Sequence, residues 1–223
     1  MTKPATIISI EANIGAGKST LIKNLQTFLD PTSTICIREP IDQWANFRDP
    51  ATNLSLLELY YLDPKKYALS FQTMIYSTLF DILQKTIKES NAALMITERS
   101  LQTSDGIFAK MLHDSEVLSP IEYQVYKNCI ANTHIPLDVC IYLRTDPETC
   151  YERVQHRNRG GENQITIDYL RKCHDAHETW ISSKQCPKST FIIEVGTKTP
   201  DEIVAEVLDI LREFGTPGGI PNI

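Results

Sequence analysis

The feature that most constrains this chain is the decapeptide Glu11-Ala12-Asn13-Ile14-Gly15-Ala16-Gly17-Lys18-Ser19-Thr20. An apolar run at 5–10 (ATIISI) precedes it, and a helical pattern at 21–29 follows. Strand, glycine-rich turn, Lys-Ser-Thr and helix is the context of a phosphate-binding loop. The backbone N–H groups of such a loop, here spanning Asn13, Gly15, Ala16, Gly17, Ser19 and Thr20, converge on phosphate oxygens. The helix N-terminus adds positive partial charge. Lys18 is expected to reach the β- and γ-phosphates and the Ser19 hydroxyl to sit on Mg²⁺. The pattern departs from G-x-x-x-x-G-K-[ST] once, because Ala12 stands where the first glycine belongs. Ala12 must therefore fit with negative φ, and Gly15 is expected to take up the strain of the turn.

Four further apolar runs read as buried strands: 34–37 (TICI), 93–97 (ALMIT), 139–143 (VCIYL) and 190–195 (TFIIEV). Each is short and rich in apolar or β-branched residues, as strands covered on both faces are. Helical patterns fill the intervals at 54–61, 65–89, 105–112, 121–131, 147–155, 167–182 and 200–214. The 147–155 helix opens on Asp146-Pro147-Glu148, a cap followed by proline in the first turn. Strands alternating with helices specify an α/β chain with a parallel sheet and right-handed crossovers. The 223 residues suit one domain over 1–214, followed by a Gly/Pro-rich tail at 215–223 expected to be flexible.

A net charge of −6 argues against a broad nucleic-acid or membrane surface, so any positive site must be local. The six cysteines form no C-x-x-C and take no zinc spacing with histidine, which suits free thiols in a reducing compartment. No run approaches a membrane span, and the N-terminus lacks the apolar core of a signal peptide, so an intracellular, cytoplasmic protein is expected.

In open α/β sheets, sites gather at the carboxyl ends of the strands. After the first strand comes the phosphate loop. After the second comes Arg38-Glu39-Pro40-Ile41-Asp42-Gln43-Trp44, and after the third Glu98-Arg99-Ser100. Either charged group alone would read as a solvated strand end; two carboxylates beside a phosphate loop do not. Arg153 and Arg157 share one helix face, and Arg159 follows in a glycine-containing loop. A cationic helix end would satisfy the dipole. Three arginines in seven residues of an acidic chain instead fit a lid, near 156–165, that closes on phosphates.

As a set, these motifs resemble the deoxyribonucleoside kinases, the group of deoxycytidine, deoxyguanosine and mitochondrial-type thymidine kinases with insect and viral members. The resemblance runs from about Thr6 to about Trp180: IEANIGAGKST, REPIDQW, Phe71-Gln72-Thr73, ERS with Ile107-Phe108-Ala109, DPETCYERVQHRNR, then Tyr169-Leu170 and His177-Glu178-Thr179-Trp180. It implies a P-loop kinase-type three-layer fold with a five-stranded parallel sheet flanked by helices, an arginine-rich lid, and a homodimer. Implied too is transfer of the γ-phosphate of ATP or another nucleoside triphosphate, with Mg²⁺, to a nucleoside 5′-hydroxyl. On this resemblance Glu39 is the general base. Arg99 holds the hydroxyl and the transferring phosphate, with Lys18 as the third catalytic group. Glu98 joins Ser19 at Mg²⁺, and Arg153, Arg157 and Arg159 lie on the phosphates. Tyr61 and Glu162 match the pair that bonds the sugar 3′-hydroxyl, and Gln72 the reader of the base edge. Trp44, Phe71 and Phe108 match aromatic walls, and Ile14 and Leu57 apolar ones.

The chain departs from the family at the base. Members preferring cytosine or purines carry an arginine and an aspartate there; the corresponding positions are Leu79 and Ser104, with Ile75 beside them. An uncharged pocket resembles the thymidine-accepting members. Two other classes fit the residues less well. A thymidylate-type nucleotide kinase shares fold, loop and lid, but Glu39 would repel its acceptor's phosphate. A P-loop switch protein needs neither a base-reading Gln72 nor an arginine lid.

Overall fold

The computed structural model describes residues 5–157 and 162–214. Arg159, expected as a lid arginine, the middle of the expected lid and the tail at 215–223 lie outside the described residues.

Five strands form one sheet in the order β2-β3-β1-β4-β5, every pairing parallel. They are β1 (Thr6–Ala12), β2 (Thr34–Ile37), β3 (Leu94–Glu98), β4 (Val139–Arg144) and β5 (Ser189–Glu194). The sequence places each of these within two residues. The first strand runs two residues further than its apolar core, because Glu11 and Ala12 continue the register opposite Tyr142 and Leu143. Helices cover both faces: α1 (Lys18–Leu25), α2 (Ile41–Trp44), α3 (Leu56–Leu62), α4 (Pro64–Glu89), α5 (Leu101–Thr103), α6 (Lys110–Asp114), α7 (Pro120–Ile130), α8 (Pro147–Arg157), α9 (Ile167–Ile181) and α10 (Pro200–Glu213).

Local chemistry sets the helix starts. Ser55 with Glu58, Ser119 with Glu122 and Thr199 with Glu202 form reciprocal capping boxes for α3, α7 and α10. Asp146 receives the Thr149 N–H at 3.1 Å, as its place before Pro147 predicts. One core lies between the sheet and α1, α8 and α10, centred on Ile8, Ile10, Ile22, Val154 and Leu208. A second, on the opposite face, joins Ile7 and Met95 to Leu79 and Leu83 of α4 and Tyr126 of α7. The alternation of β1 assigns Ile8 and Ile10 to the first core and Ile7 to the second.

The helix expected at 105–112 differs. A single six-residue π-turn, Ser104–Ala109, separates α5 from α6. Trp180 of α9 packs on it at Gly106: a Cβ there would stand 2.7 Å from Trp180 Nε1, so only glycine lets the indole press this close. No described helix is long and apolar enough to cross a membrane.

Candidate active site

The carboxyl ends of β1, β2 and β3 open into one cavity of about 560 Å³. Its floor is the phosphate loop. Gly15 (φ 81°) and Gly17 (φ 104°) take the left-handed conformations, whereas Ala12 is absent from the non-glycine residues with positive φ. A Cβ on Gly15 would meet Cys150 O at 2.5 Å and Val154 Cγ2 at 2.9 Å, so the turn packs directly on α8. Ala12 ends β1 fully buried and needs no glycine freedom.

Lys18 is buried, and its Nζ donates to Asn13 O at 3.0 Å and Ala12 O at 3.3 Å. Burial first, then the nearby Arg99, lowers its pKa from 10.5 to about 8. Ser19 Oγ donates to Glu98 Oε1 at 2.5 Å, and Glu98 Oε2 receives the Glu39 N–H at 3.4 Å. Arg99 joins the parts: Nε donates to Glu39 Oε1 at 2.8 Å and Nη1 to Ala12 O at 3.0 Å. Its guanidinium carbon lies 4.5 Å from the centre of the Phe108 ring. Burial opposes its charge, but Glu39, Glu11 and Glu98 outweigh burial and raise its pKa. Arg99 itself is left-handed (φ 66°), an uncommon state for a residue with a side chain.

Past this charged centre the cavity becomes apolar and aromatic. Ile14, Trp44, Leu57, Tyr61, Phe71, Gln72, Ile75, Ser104 and Phe108 all line it. Gln72 is buried, and its Oε1 has no partner among the described residues. Trp44 is fixed by its Nε1 donating to Thr78 Oγ1 at 2.8 Å. Arg153 donates from Nη1 to Ala16 O at 3.3 Å, and Arg157 pairs with Glu162 at 2.7 and 3.0 Å. Both arginines line the cavity; Glu162 is buried behind them, and its carboxylate is among the charges acting on Tyr61.

Three expected residues are absent from the cavity wall: Leu79, Asn13, and Glu162, which is buried against Arg157. Leu79 packs with Ile37, Tyr76, Leu83 and Met95 in the second core and is absent from the cavity wall. It sits one helical turn beyond Ile75, which carries it past the pocket towards the sheet. The Asn13 side chain turns inward: Nδ2 donates to Leu170 O at 2.8 Å, and Oδ1 accepts from the Ile14 N–H. It braces the loop instead of facing the cavity.

The cavity also holds residues that the sequence left unassigned. Tyr60, stacked on Phe71 at 4.5 Å, and Tyr169 line the apolar end, while Lys198, Pro200 and Ile203 line the end beyond the phosphate loop. The rule that sites follow strand ends would have found Lys198 after β5. Tyr169 had only its place in the Tyr-Leu pair.

Ser19 and Glu98 offer hard oxygen ligands beside Lys18, a set that suits a cation completed by phosphate oxygens and water. Among the described residues, no three His, Cys, Asp and Glu side chains gather to hold a metal alone.

Comparison with known proteins agrees with this architecture. A family model described as deoxynucleoside kinase matches residues 8–213. The chain is 37% identical to a probable deoxycytidine kinase of fowlpox virus, over 78% of this chain and 71% of the relative. It is 33% identical to chicken (Gallus gallus) deoxycytidine kinase 2 over 93% and 83%, and 31% identical to human mitochondrial thymidine kinase 2 over 79% and 64%. A solved M. mycoides deoxyadenosine kinase superposes with a TM-score of 0.77 at 22% identity, covering 93% of this chain and all of that one.

Proposed function

The chain belongs to the deoxynucleoside kinase family, and from that premise we propose that it transfers the γ-phosphate of ATP to the 5′-hydroxyl of a pyrimidine deoxynucleoside, thymidine foremost. Phosphotransfer from a nucleoside triphosphate to an alcohol is the family's chemistry; the donor base, the acceptor base and the residue roles are the proposal.

The observation that carries it is the Glu39–Arg99 pair, held at 2.8 Å between the phosphate loop and an aromatic pocket. Glu39 would accept the proton of the 5′-hydroxyl while Arg99 stabilises the phosphoryl group in transit. Lys18, Arg153 and Arg157 would neutralise the donor's phosphates, with Arg159 the remaining lid arginine. Ser19 and Glu98 would hold Mg²⁺, which when bound neutralises and orients the phosphates. Tyr61 and Glu162 would bond the sugar 3′-hydroxyl. Gln72, with its unpartnered buried oxygen, would receive a donor from the base edge, such as the N3–H of thymine. Trp44, Phe71 and Phe108, with Ile14, Leu57 and Ile75, would enclose the ring.

Ser104 supports the thymidine preference. It stands on the pocket wall without charge, and its hydroxyl donates to Ser100 O at 3.0 Å. Asp105, the next residue, is drawn out of the pocket by Lys127, whose Nζ lies 2.5 Å from its Oδ2. No carboxylate from the π-turn therefore waits for the amino group of cytosine or adenine. Assembly as a homodimer belongs to the same reading, and sedimentation of the purified protein tests it. The deciding experiment is an acceptor panel of the four deoxynucleosides with Mg-ATP, in which thymidine should give the highest kcat/KM. Acceptance of nucleoside monophosphates alone would reject the reading.

A further inference from the structure

Glu11 is a fully buried carboxylate on β1 for which the proposed chemistry has no use. Strand alternation turns its side chain to the face opposite Ile10 and Ala12. There Thr103 Oγ1 donates to Glu11 Oε2 at 2.9 Å. Thr103 is tied in turn to Ser100: its N–H donates to Ser100 Oγ at 3.2 Å, and the Ser100 N–H donates to Thr103 Oγ1 at 3.3 Å. The residue before this cap is the left-handed Arg99.

Arg99 also straddles Glu11 along β1. Its N–H donates to Ile10 O at 3.1 Å and its Nη1 to Ala12 O at 3.0 Å. The turn is thus held by backbone carbonyls on either side of Glu11 and by the Glu11 side chain itself. Burial raises the Glu11 pKa, against the opposing hydrogen bonds of Ser100 and Thr103 and the charge of Arg99. An apolar residue would fill this buried position without desolvating a carboxyl group. A strained backbone persists where its surroundings over-determine it, and Glu11 is one of the groups that do so here.

We propose that Glu11 is a positioning residue: through Thr103 it holds the Arg99–Ser100 turn in the conformation that presents the guanidinium to Glu39 and to the phosphate in transit. The inference rests on the reading of Arg99 given above. Misplacing Arg99 weakens contacts made in the transition state more than ground-state binding, so turnover should fall while both KM values stay near their starting points.

Three variants test it. Glu11→Leu removes the acceptor while keeping bulk, Glu11→Gln keeps an oxygen for Thr103, and Thr103→Val deletes only the hydroxyl. Per folded enzyme, Glu11→Leu should lower kcat about tenfold or more with KM for nucleoside and donor changed less than about threefold. Glu11→Gln should recover most of that loss. Thr103→Val should also lower kcat, and Glu11→Leu should add little to it in the double variant, because losing the Thr103 hydroxyl already breaks its bond to Glu11. Thr103→Val carries the test if Glu11→Leu does not fold. Wild-type kcat in either Glu11→Leu or Thr103→Val overturns the inference, as does a Glu11→Gln enzyme no better than Glu11→Leu. A wild-type protein inactive on all four deoxynucleosides overturns the kinase reading and this inference with it; an active parent with unaffected variants overturns the inference alone.

Discussion

Individual residues divide into those that react and those that hold them. Replacing Glu39 with Gln removes the proposed base but leaves a side chain able to hydrogen-bond Arg99 Nε. Turnover should fall roughly 10²–10⁴-fold, while donor affinity, read by calorimetry, should stay near wild type. Equal loss of both would make Glu39 a structural partner of Arg99. Lys18 gives a pH signature. Burial sets its pKa at about 8, below the ordinary 10.5, and a bound triphosphate favours the charged form. The bound pKa therefore lies above the free one, so donor binding takes up protons as pH rises through about 8, and donor affinity declines above it. Calorimetry in two buffers of different ionisation enthalpy reads this uptake, and uptake constant from pH 7 to 9 would reject it. Much of the cavity's lining was legible in the residues: Lys18, Ser19, Glu39, Glu98 and Arg99 follow strand ends, where sites gather, and all line it. Leu79 was not, because helical spacing says which face a side chain takes but not where along a long helix the pocket ends.

Secondary elements with their own apolar period or cap were readable; those defined by tertiary contact were not. The strands declare themselves by β-branched runs, and α3, α7 and α10 by Ser or Thr three residues before Glu. The π-turn gives no such sign. Its sequence, SDGIFA, shows no period of its own, and the wider turn packs at Gly106 against Trp180, 74 positions away. That turn carries Ser104 and Phe108 to the pocket. Gly106→Ala should consequently act twice. Steric conflict with Trp180 should destabilise the fold by about 1–3 kcal/mol, read by urea unfolding. Displacement of Ser104 and Phe108 should raise KM for the nucleoside while leaving KM for the donor unchanged. Equal changes in both constants would show that the turn does not serve the acceptor side selectively. Helix α2, the four residues Ile41–Trp44 directly after Pro40, was also beyond sequence patterning; it is too short to show a period.

The whole molecule is organised around β1, central in the sheet and flanked by β3 and β4. These three strands are almost wholly buried, whereas β2 and β5 are half-exposed edges. Amide exchange should be slowest in β1, β3 and β4 and faster by an order of magnitude or more in the edges; uniform protection across the sheet would mean that it opens only as a unit. The arrangement has a consequence at its catalytic end. The carbonyl oxygen of Ala12 accepts from both Lys18 and Arg99, so one peptide group anchors the phosphate loop and the Arg99 turn, the proposed donor and acceptor halves, together. Neither half can be retuned by shifting this strand without misaligning the other. Redesign towards unnatural nucleosides should therefore be confined to the helical walls, at Leu57, Ile75 or Ser104, where a substitution reshapes one compartment and leaves the common anchor untouched.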